Sequence, residues 1–173
     1  MSNENAPIQI VAYDSRWLRL FVEEREALRG VLDPWLTGTI EHIGSTAVPG
    51  LSAKPVIDIM AGVESLEEST DAIPAVRSLG YLYAPYRPEV EHWFCKPHPA
   101  RRTHHLHLVP FQSALWQAQI KFRDRLRDDP TIAAEYSALK IKLAATFPHD
   151  REGYTEGKSE FINRVLGPGP KSS

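Results

Sequence analysis

Apolar residues recur along this chain at two different spacings. Over residues 15–32, apolar side chains three or four positions apart share one face and charged side chains occupy the other, which predicts an amphipathic helix capped by Ser15. The same spacing predicts helices over 65–79, 115–126, 132–147 and 154–166. Gly80 is predicted as a helix C-cap, and Asp129 followed by Pro130 as a helix start.

Shorter apolar and β-branched runs predict strands over 39–43, 55–63, 81–86, 91–96 and 101–109. The run over 55–63 is apolar at nearly every position, so we expect a strand buried on both faces. The last three runs are separated by short breaks and predict antiparallel strands. Strands interleaved with helices, followed by helices alone, predict a mixed sheet covered by helices, in the α+β or α/β class. We expect one domain over 1–173, with a core at 8–166 and a flexible tail at 167–173.

The overall charge excludes one class of partner. The 173 residues contain 20 Lys and Arg against 22 Asp and Glu, a net charge of −2. A domain that binds a nucleic acid polymer is usually strongly basic, so we expect no such partner. A phosphorylated small molecule would need a local basic pocket instead.

The chain contains one cysteine, Cys95, and no apolar run of membrane-spanning length. A single cysteine excludes an intrachain disulfide framework and a four-cysteine zinc site. The N-terminal segment lacks the basic and apolar regions of a signal peptide. We therefore expect a cytoplasmic protein that does not associate with membranes.

The segment from His42 to Met60 carries the strongest chemical signal. A strand that ends at Gly44-Ser45 and turns into a helix start offers backbone N–H groups to a phosphate oxygen. Gly44 allows close approach, Ser45 adds a hydroxyl and Lys54 adds a mobile cation. These residues, with His42, are predicted to contact a phosphorylated ligand.

Asp58 interrupts the apolar strand that follows. Alternation places Asp58 and Met60 on one face of the strand and the neighbouring isoleucines on the other. Because burying an unpaired carboxylate is costly, Asp58 needs a metal ion or a cationic side chain as partner. A plain turn with a structural ion pair is the alternative at this point.

Two histidines form the next signal. Alternation places His105 and His107 on one face of their strand and His104 on the other. The pair is predicted to share a metal, to contact a phosphate or to act in acid–base catalysis, and a structural role for at least one of them stays open. Arg123 and Lys158 are further candidate phosphate contacts, with a solvated helix face as the alternative for the arginines.

Several motifs together resemble the GrpB family of small bacterial proteins, which also occurs fused to dephospho-coenzyme A kinase. The motifs are HIGSTAVPGL, AKPVIDI, LGY, HHLHLV, FRDRLR, YSALK and GYTEGKSEFI, and they cover roughly residues 8–166. The resemblance implies a nucleotidyltransferase-like fold of the polymerase-beta type. In that superfamily a Gly-Ser turn binds nucleotide phosphates, and carboxylates at alternate strand positions hold two Mg²⁺ ions.

Gly44, Ser45 and Asp58 match that pattern, but Met60 stands where the second carboxylate is expected. A thioether is a poor ligand for a hard cation such as Mg²⁺, so the usual two-metal site is incomplete. We expect Mg²⁺ on Asp58 and His107, or a transition metal such as Zn²⁺ on the histidines, or a metal-free site. Glu91 is the candidate for a second carboxylate by elimination.

Two functions from different classes follow. The first is a nucleotidyltransferase-like protein that binds a nucleotide or another phosphorylated small molecule and transfers a nucleotidyl group, with Asp58, His105 and His107 as catalytic residues. The second is a catalytically inactive binding or regulatory module of the same fold. A transition-metal-dependent site on His105 and His107 is a further alternative.

Overall fold

The computed structural model describes residues 6–168. The sheet consists of β1 (Leu36–Ile43), β2 (Ile57–Val63), β3 (Leu82–Tyr83), β4 (His92–His98) and β5 (Arg101–Pro110). The helices are α1 (Arg16–Leu32), α2 (Ala72–Ala75), α3 (Ala114–Asp128), α4 (Pro130–Thr146), α5 (Arg151–Glu156) and α6 (Ser159–Leu166). Residues 169–173 of the predicted tail lie outside the described residues. No helix within 6–168 is long and apolar enough to cross a lipid bilayer.

The strand order is β1-β2-β5-β4-β3, and only the β2–β5 pair is parallel. The predicted antiparallel arrangement of the last three strands is confirmed. So is the predicted fold class, a mixed sheet with flanking helices and a helical C-terminal third. β2 and β5 lie side by side in the middle of the sheet. Side chains on one face of β2 therefore lie beside side chains on the same face of β5.

The two faces of the sheet are covered differently. On one face, α1 packs against β1, β2 and β5 through a large apolar cluster that includes Leu28, Ile59 and Leu106. On the other face, α3 packs through Trp116 against Ile43, Met60 and Val109. Asp58 is an exception within β2, because it is the only residue of this strand that is not fully buried. This second face carries the candidate site.

Three local predictions are wrong in detail. The side chain that accepts from the first turn of α1 is Asp14, which receives the backbone N–H of Arg16, and Ser15 makes no such bond. The helix predicted over 65–79 is reduced to α2 and a 3₁₀ turn, since Pro74 has no N–H to donate and lies inside it. The helix predicted over 154–166 is divided into α5 and α6 around Gly157 and Lys158.

The predicted helix boundary signals are present. Gly80 has a left-handed backbone (φ 86°) at the end of the 3₁₀ turn. Asp129 caps α4, because its carboxylate accepts the N–H groups of Thr131 and Ile132 at 2.9 and 3.2 Å. Pro130 occupies the first helical position, where no N–H is needed. These caps fix where the C-terminal helices begin over the sheet.

Candidate functional site

The turn that ends β1 lies directly against Asp58. Ile43 pairs with Asp58 across the two strands, and Gly44 follows with φ 71° and ψ −172°, a conformation that is almost confined to glycine. A Cβ atom at Gly44 would stand 2.7 Å from Asp58 Oδ2. Ser45 then begins a 3₁₀ turn that ends at Ala47. The predicted Gly-Ser turn and the predicted strand aspartate are therefore in contact.

Asp58 has His105 as its hydrogen-bond partner. The two residues are paired in the parallel register of β2 and β5, and His105 Nδ1 lies 2.8 Å from Asp58 Oδ1. Because a carboxylate only accepts, Nδ1 carries the proton, which leaves the lone pair of a neutral ring on Nε2. That Nε2 atom is buried and has no hydrogen-bond partner. Burial lowers the pKa of His105 despite the opposing charge of Asp58, which keeps the ring neutral.

His107 lies between two carboxylates. Its Nδ1 atom is 2.6 Å from Glu91 Oε2, and its Nε2 atom is 3.8 Å from Asp58 Oδ1. Burial opposes a charge on this ring, but the hydrogen bonding and charges of Asp58 and Glu91 outweigh it and raise the pKa of His107 to about 9. His107 is therefore an imidazolium at neutral pH.

The same chain of contacts extends outward from Glu91. This carboxylate is buried, and Arg87 Nη2 lies 3.0 Å from its Oε1 atom. Burial would raise the pKa of Glu91, but His107 and Arg87 lower it. Burial would also raise the pKa of Asp58, but its two histidine neighbours lower it. Carboxylates and cations thus alternate from Arg87 to Asp58. Glu91, the candidate second carboxylate, reaches His107 and does not contact Asp58 directly.

The donor set does not fit a two-metal centre. Met60, at the expected second carboxylate position, is fully buried and packs with Ile43, Val109 and Trp116. Within residues 6–168, no three His, Cys, Asp or Glu side chains are disposed to hold a metal ion. The predicted Mg²⁺ and Zn²⁺ stay predictions: carboxylate and imidazole donors of suitable type are present, but the described residues do not bring three of them together.

Three lysines, Lys54, Lys140 and Lys158, surround the same site, and we call them the lysine cluster. The Nζ atoms of Lys54 and Lys158 lie 4.9 and 4.6 Å from the ring centroid of Tyr154. Lys140 is 2% exposed, lies 4.8 Å from the ring centroid of Tyr136 and donates to the carbonyl of Ser52. These ring contacts orient the ammonium groups but do not neutralise them.

No carboxylate within the described residues lies within ion-pair distance of the lysine cluster. Burial, followed by repulsion from Lys158 and Lys54, lowers the pKa of Lys140 to about 7. Burial and repulsion from Lys54 lower the pKa of Lys158 to about 8, although Asp58 attracts it. The pKa of Lys54 is lowered mainly by burial. The cluster is thus a concentration of positive charge that the folded chain does not balance.

The lysine cluster faces the Gly-Ser turn through two tyrosines of the C-terminal helices. Burial and the charges of Tyr154 and Asp58 raise the pKa of Tyr136, and a hydrogen bond from Ser45 opposes that change. Burial and the charge of Asp58 raise the pKa of Tyr154. Ser45, Asp58 and both phenols therefore lie close enough to one another to interact.

Two predicted site residues lie elsewhere. His42 is on the α1 face, stacked on Phe21 at 4.6 Å, and its Nε2 atom is 3.0 Å from Thr46 Oγ1. Since the hydroxyl of Thr46 donates to the Val56 carbonyl, His42 donates to Thr46 and supports the turn from behind. Burial lowers the pKa of His42 to about 4, so this ring is neutral.

Arg123 is the second of these residues. Its guanidinium lies 2.7 Å from Glu41 and 2.9 Å from Asp124, and it also donates to the carbonyl of His42 at 3.1 Å. The carboxylates of Glu41 in β1 and Asp124 in α3 already balance its charge. The contact predicted between Arg123 and phosphate stays a prediction without support from these distances.

Sequence reasoning missed part of the site. Trp93 packs against both histidine rings, with centroids 5.0 Å from His105 and 6.4 Å from His107. The sequence also marks Lys140 as a candidate cation beside Lys158, but Lys140 is not among the predicted phosphate contacts. It lies four residues after Tyr136 on the buried face of α4, where a lysine is unusual.

The chain is similar to several known proteins. The family model described as GrpB protein matches residues 7–167. A UPF0157 protein of Pseudomonas aeruginosa is 39% identical over 165 residues, which is 92% of this chain and 66% of that protein. The glutamate-rich protein GrpB of Alkalihalophilus pseudofirmus is 34% identical, over 91% of this chain and 92% of that protein. The chain thus spans slightly less than two thirds of the Pseudomonas protein.

A solved structure and a more distant relative extend the comparison. The crystal structure of conserved protein GrpB from Enterococcus faecalis superposes with a TM-score of 0.81 at 33% identity, over 91% of this chain and 94% of that one. A dephospho-CoA kinase of Mycolicibacterium paratuberculosis is 28% identical over 71% of this chain and 36% of that protein. On these matches, the chain belongs to the GrpB family.

Proposed function

We propose that this protein binds a nucleotide or another phosphorylated small molecule, with the phosphoryl groups between the Gly44-Ser45 turn and the lysine cluster. The observation that carries the proposal is the lysine cluster itself. Within residues 6–168, three lysine side chains lie in or near the protein interior with no carboxylate at ion-pair distance. Uncompensated charge of this kind is costly, and an anionic ligand would balance it.

The turn supports the same ligand. A glycine with a positive φ, followed by a serine and a 3₁₀ turn, lets an oxyanion approach the backbone and the Ser45 hydroxyl closely. Asp58 lies against the same turn, and its charge is matched by His107 at 3.8 Å. A phosphate at the lysine cluster therefore meets cations and hydrogen-bond donors.

Nucleotidyl transfer belongs to the proposal because of the Asp58–His105 pair. Asp58 holds the Nδ1 proton of His105, so Nε2 carries the lone pair that would accept the proton of an acceptor hydroxyl once ligand binding exposes this buried atom. The hydroxyl oxygen would attack the α-phosphorus of a nucleoside triphosphate, and pyrophosphate would leave. The lysine cluster would stabilise the charge on the phosphoryl oxygens. No step in this scheme passes through a metal ion.

An inactive binding module is the second candidate function. It is favoured by Met60, since the position of the second carboxylate lies in apolar packing and cannot hold a catalytic ion. The two candidates differ in turnover and agree in binding. Release of pyrophosphate by the wild type, lost in both Asp58→Asn and His105→Gln, would support transfer. Binding without turnover for every acceptor tested would support the module.

Calorimetric titration with ATP, GTP, CTP and UTP tests the binding proposal. We expect at least one nucleotide to bind the wild type, and Lys158→Gln to weaken that binding by about tenfold or more, since a charge-assisted hydrogen bond contributes roughly 1.5–3 kcal/mol. Lys142→Gln is the matched control, because Lys142 is exposed on α4. The absence of binding by all four nucleotides at millimolar concentration would refute the proposal.

A further inference from the structure

The site contains more positive charge than one phosphate requires. The members of the lysine cluster come from three parts of the chain: the segment before β2, the middle of α4 and the residue before α6. A phosphate monoester carries about −1.5 to −2 charges at neutral pH. Three lysines, all protonated once an anion is bound, therefore match two adjacent phosphoryl groups better than one.

The charge of Asp58 is balanced by groups other than the lysine cluster. Its Oδ1 atom lies 2.8 Å from His105 Nδ1 and 3.8 Å from His107 Nε2. His107 is shared with Glu91, whose charge Arg87 also neutralises at 3.0 Å. The carboxylates of the site thus have their own cationic partners, and the lysine cluster is left for an external anion.

The three lysines are held in place by different contacts. Lys54 and Lys158 both lie over Tyr154, which fixes two long side chains that would otherwise be mobile. Lys140 is buried and donates to the Ser52 carbonyl, which holds its amino group in place within the lysine cluster. A site whose cations are ordered before the ligand arrives loses less entropy on binding.

Divalent metal ions usually supply this charge in sites that bind a di- or triphosphate. Here the position of the second carboxylate is occupied by Met60, which lies in apolar packing with Trp116, and no alternative donor set is formed within the described chain. The lysine cluster supplies positive charge at the site where metal ions would otherwise supply it. The apolar packing of Met60 and the presence of the lysine cluster both favour phosphate binding without a metal ion.

We propose that this site binds a ligand with two adjacent phosphoryl groups without a divalent metal ion, and that Lys54, Lys140 and Lys158 supply the positive charge. The inference rests on the proposed function, because it concerns the same ligand. It adds the class of ligand, a di- or triphosphate, and the source of the neutralising charge.

The test is calorimetric titration of the full chain with inorganic pyrophosphate and with orthophosphate, each in excess EDTA and in excess MgCl₂. We expect pyrophosphate to bind in EDTA as tightly as in MgCl₂ or more tightly, because Mg²⁺ competes for it in solution. Orthophosphate is expected to bind about tenfold or more weakly than pyrophosphate. Lys54→Gln and Lys158→Gln should each weaken pyrophosphate binding by about tenfold or more, and Lys142→Gln should leave it unchanged.

Each other outcome overturns a defined part of the account. Binding of pyrophosphate only in MgCl₂ would overturn the metal-free inference and leave the proposed function intact. Equal affinity for orthophosphate and pyrophosphate would overturn the assignment of two phosphoryl groups. No binding of pyrophosphate in either condition would overturn the inference, and the nucleotide titrations then decide the proposed function separately.

Discussion

His105 Nδ1 lies 2.8 Å from Asp58 Oδ1, and this hydrogen bond joins the two central strands of the sheet at the candidate site. It satisfies a carboxylate that stands within an otherwise apolar strand, and it fixes which nitrogen of His105 is free. The same carboxylate oxygen lies 3.8 Å from His107 Nε2. One aspartate therefore influences two imidazoles in different protonation states.

Asp58→Asn is predicted to lower the pKa of both histidines, because it removes the charge that favours their protonated forms. Glu91→Gln is predicted to lower the pKa of His107 alone, since Glu91 contacts only that ring. Titration of the imidazole Cε1 protons by NMR measures both values. If the two substitutions changed both rings equally, the arrangement of His107 between the carboxylates would be incorrect.

His107→Gln is predicted to cost more stability in acid than in alkaline solution. The pKa of His107 is 6.5 in the unfolded chain and about 9 in the folded protein, so the folded protein keeps a proton that the unfolded chain releases. This stabilisation is complete below 6.5 and disappears as pH rises through 9. Urea unfolding should show a loss larger by roughly 2–3 kcal/mol at about pH 6 than at about pH 10. An equal loss at both pH values would contradict the assignment.

Gly44→Ala is predicted to destabilise the fold by about 1–3 kcal/mol or more, because alanine is strained at φ 71° and its Cβ atom would crowd Asp58. The matched control is Gly30→Ala in α1, where nothing lies within 4 Å of the added atom. That change should stabilise by about 0.5–1 kcal/mol, since alanine favours helix. Urea unfolding of both variants gives the comparison. A tolerated alanine at position 44 would mean that the turn is not in contact with Asp58.

Lys158→Met is predicted to affect stability and binding in opposite directions. Burial and repulsion from Lys54 lower the pKa of Lys158 to about 8, so the ligand-free protein is destabilised by this charge. Removing it should raise the free energy of unfolding by about 1 kcal/mol and weaken pyrophosphate binding about tenfold or more. Thermal unfolding and calorimetry measure the two effects. Loss of both stability and binding would indicate a structural role for Lys158.

Binding of pyrophosphate is predicted to be coupled to proton uptake. The pKa values of Lys140 and Lys158 are about 7 and 8, and a bound anion would favour the charged forms. At about pH 7.5, the protein should take up about one proton, which makes the observed enthalpy depend on the ionisation enthalpy of the buffer. Lys140→Gln should reduce this dependence, and the difference separates the lysine from proton exchange by pyrophosphate itself. An identical dependence in both proteins would contradict the role of Lys140.

The sequence predicts the two strands of the site well, because alternation is a strong constraint there. Asp58 interrupts a run of apolar residues, and His105 and His107 must share a face of their strand whatever its neighbours are. The alternation also separates His104, which lies on the α1 face with Nε2 4.0 Å from Glu24. The same alternation puts Met60 on the face of Asp58, at the position where a two-metal centre needs a second carboxylate.

Other contacts depend on pairing that no local pattern contains. Glu91 reaches His107 because β4 lies beside β5, and the order of strands in the sheet follows from the whole fold. The position of His42 beside the Gly-Ser turn predicts a ligand contact. Alternation along β1 instead puts His42 on the opposite face of the sheet from Ile43 and the site. The lysine cluster assembles from segments up to 104 residues apart, so only the packing of the C-terminal helices on the rest of the chain reveals it.

A crystal structure of the protein with a nucleoside triphosphate in EDTA would show where the phosphoryl groups bind. We expect phosphoryl oxygens within hydrogen-bonding distance of Lys54 and Lys158 and of the Gly44-Ser45 backbone, with no metal ion on Asp58. Phosphoryl groups bound beside Arg123, away from the lysine cluster, would contradict the proposed site.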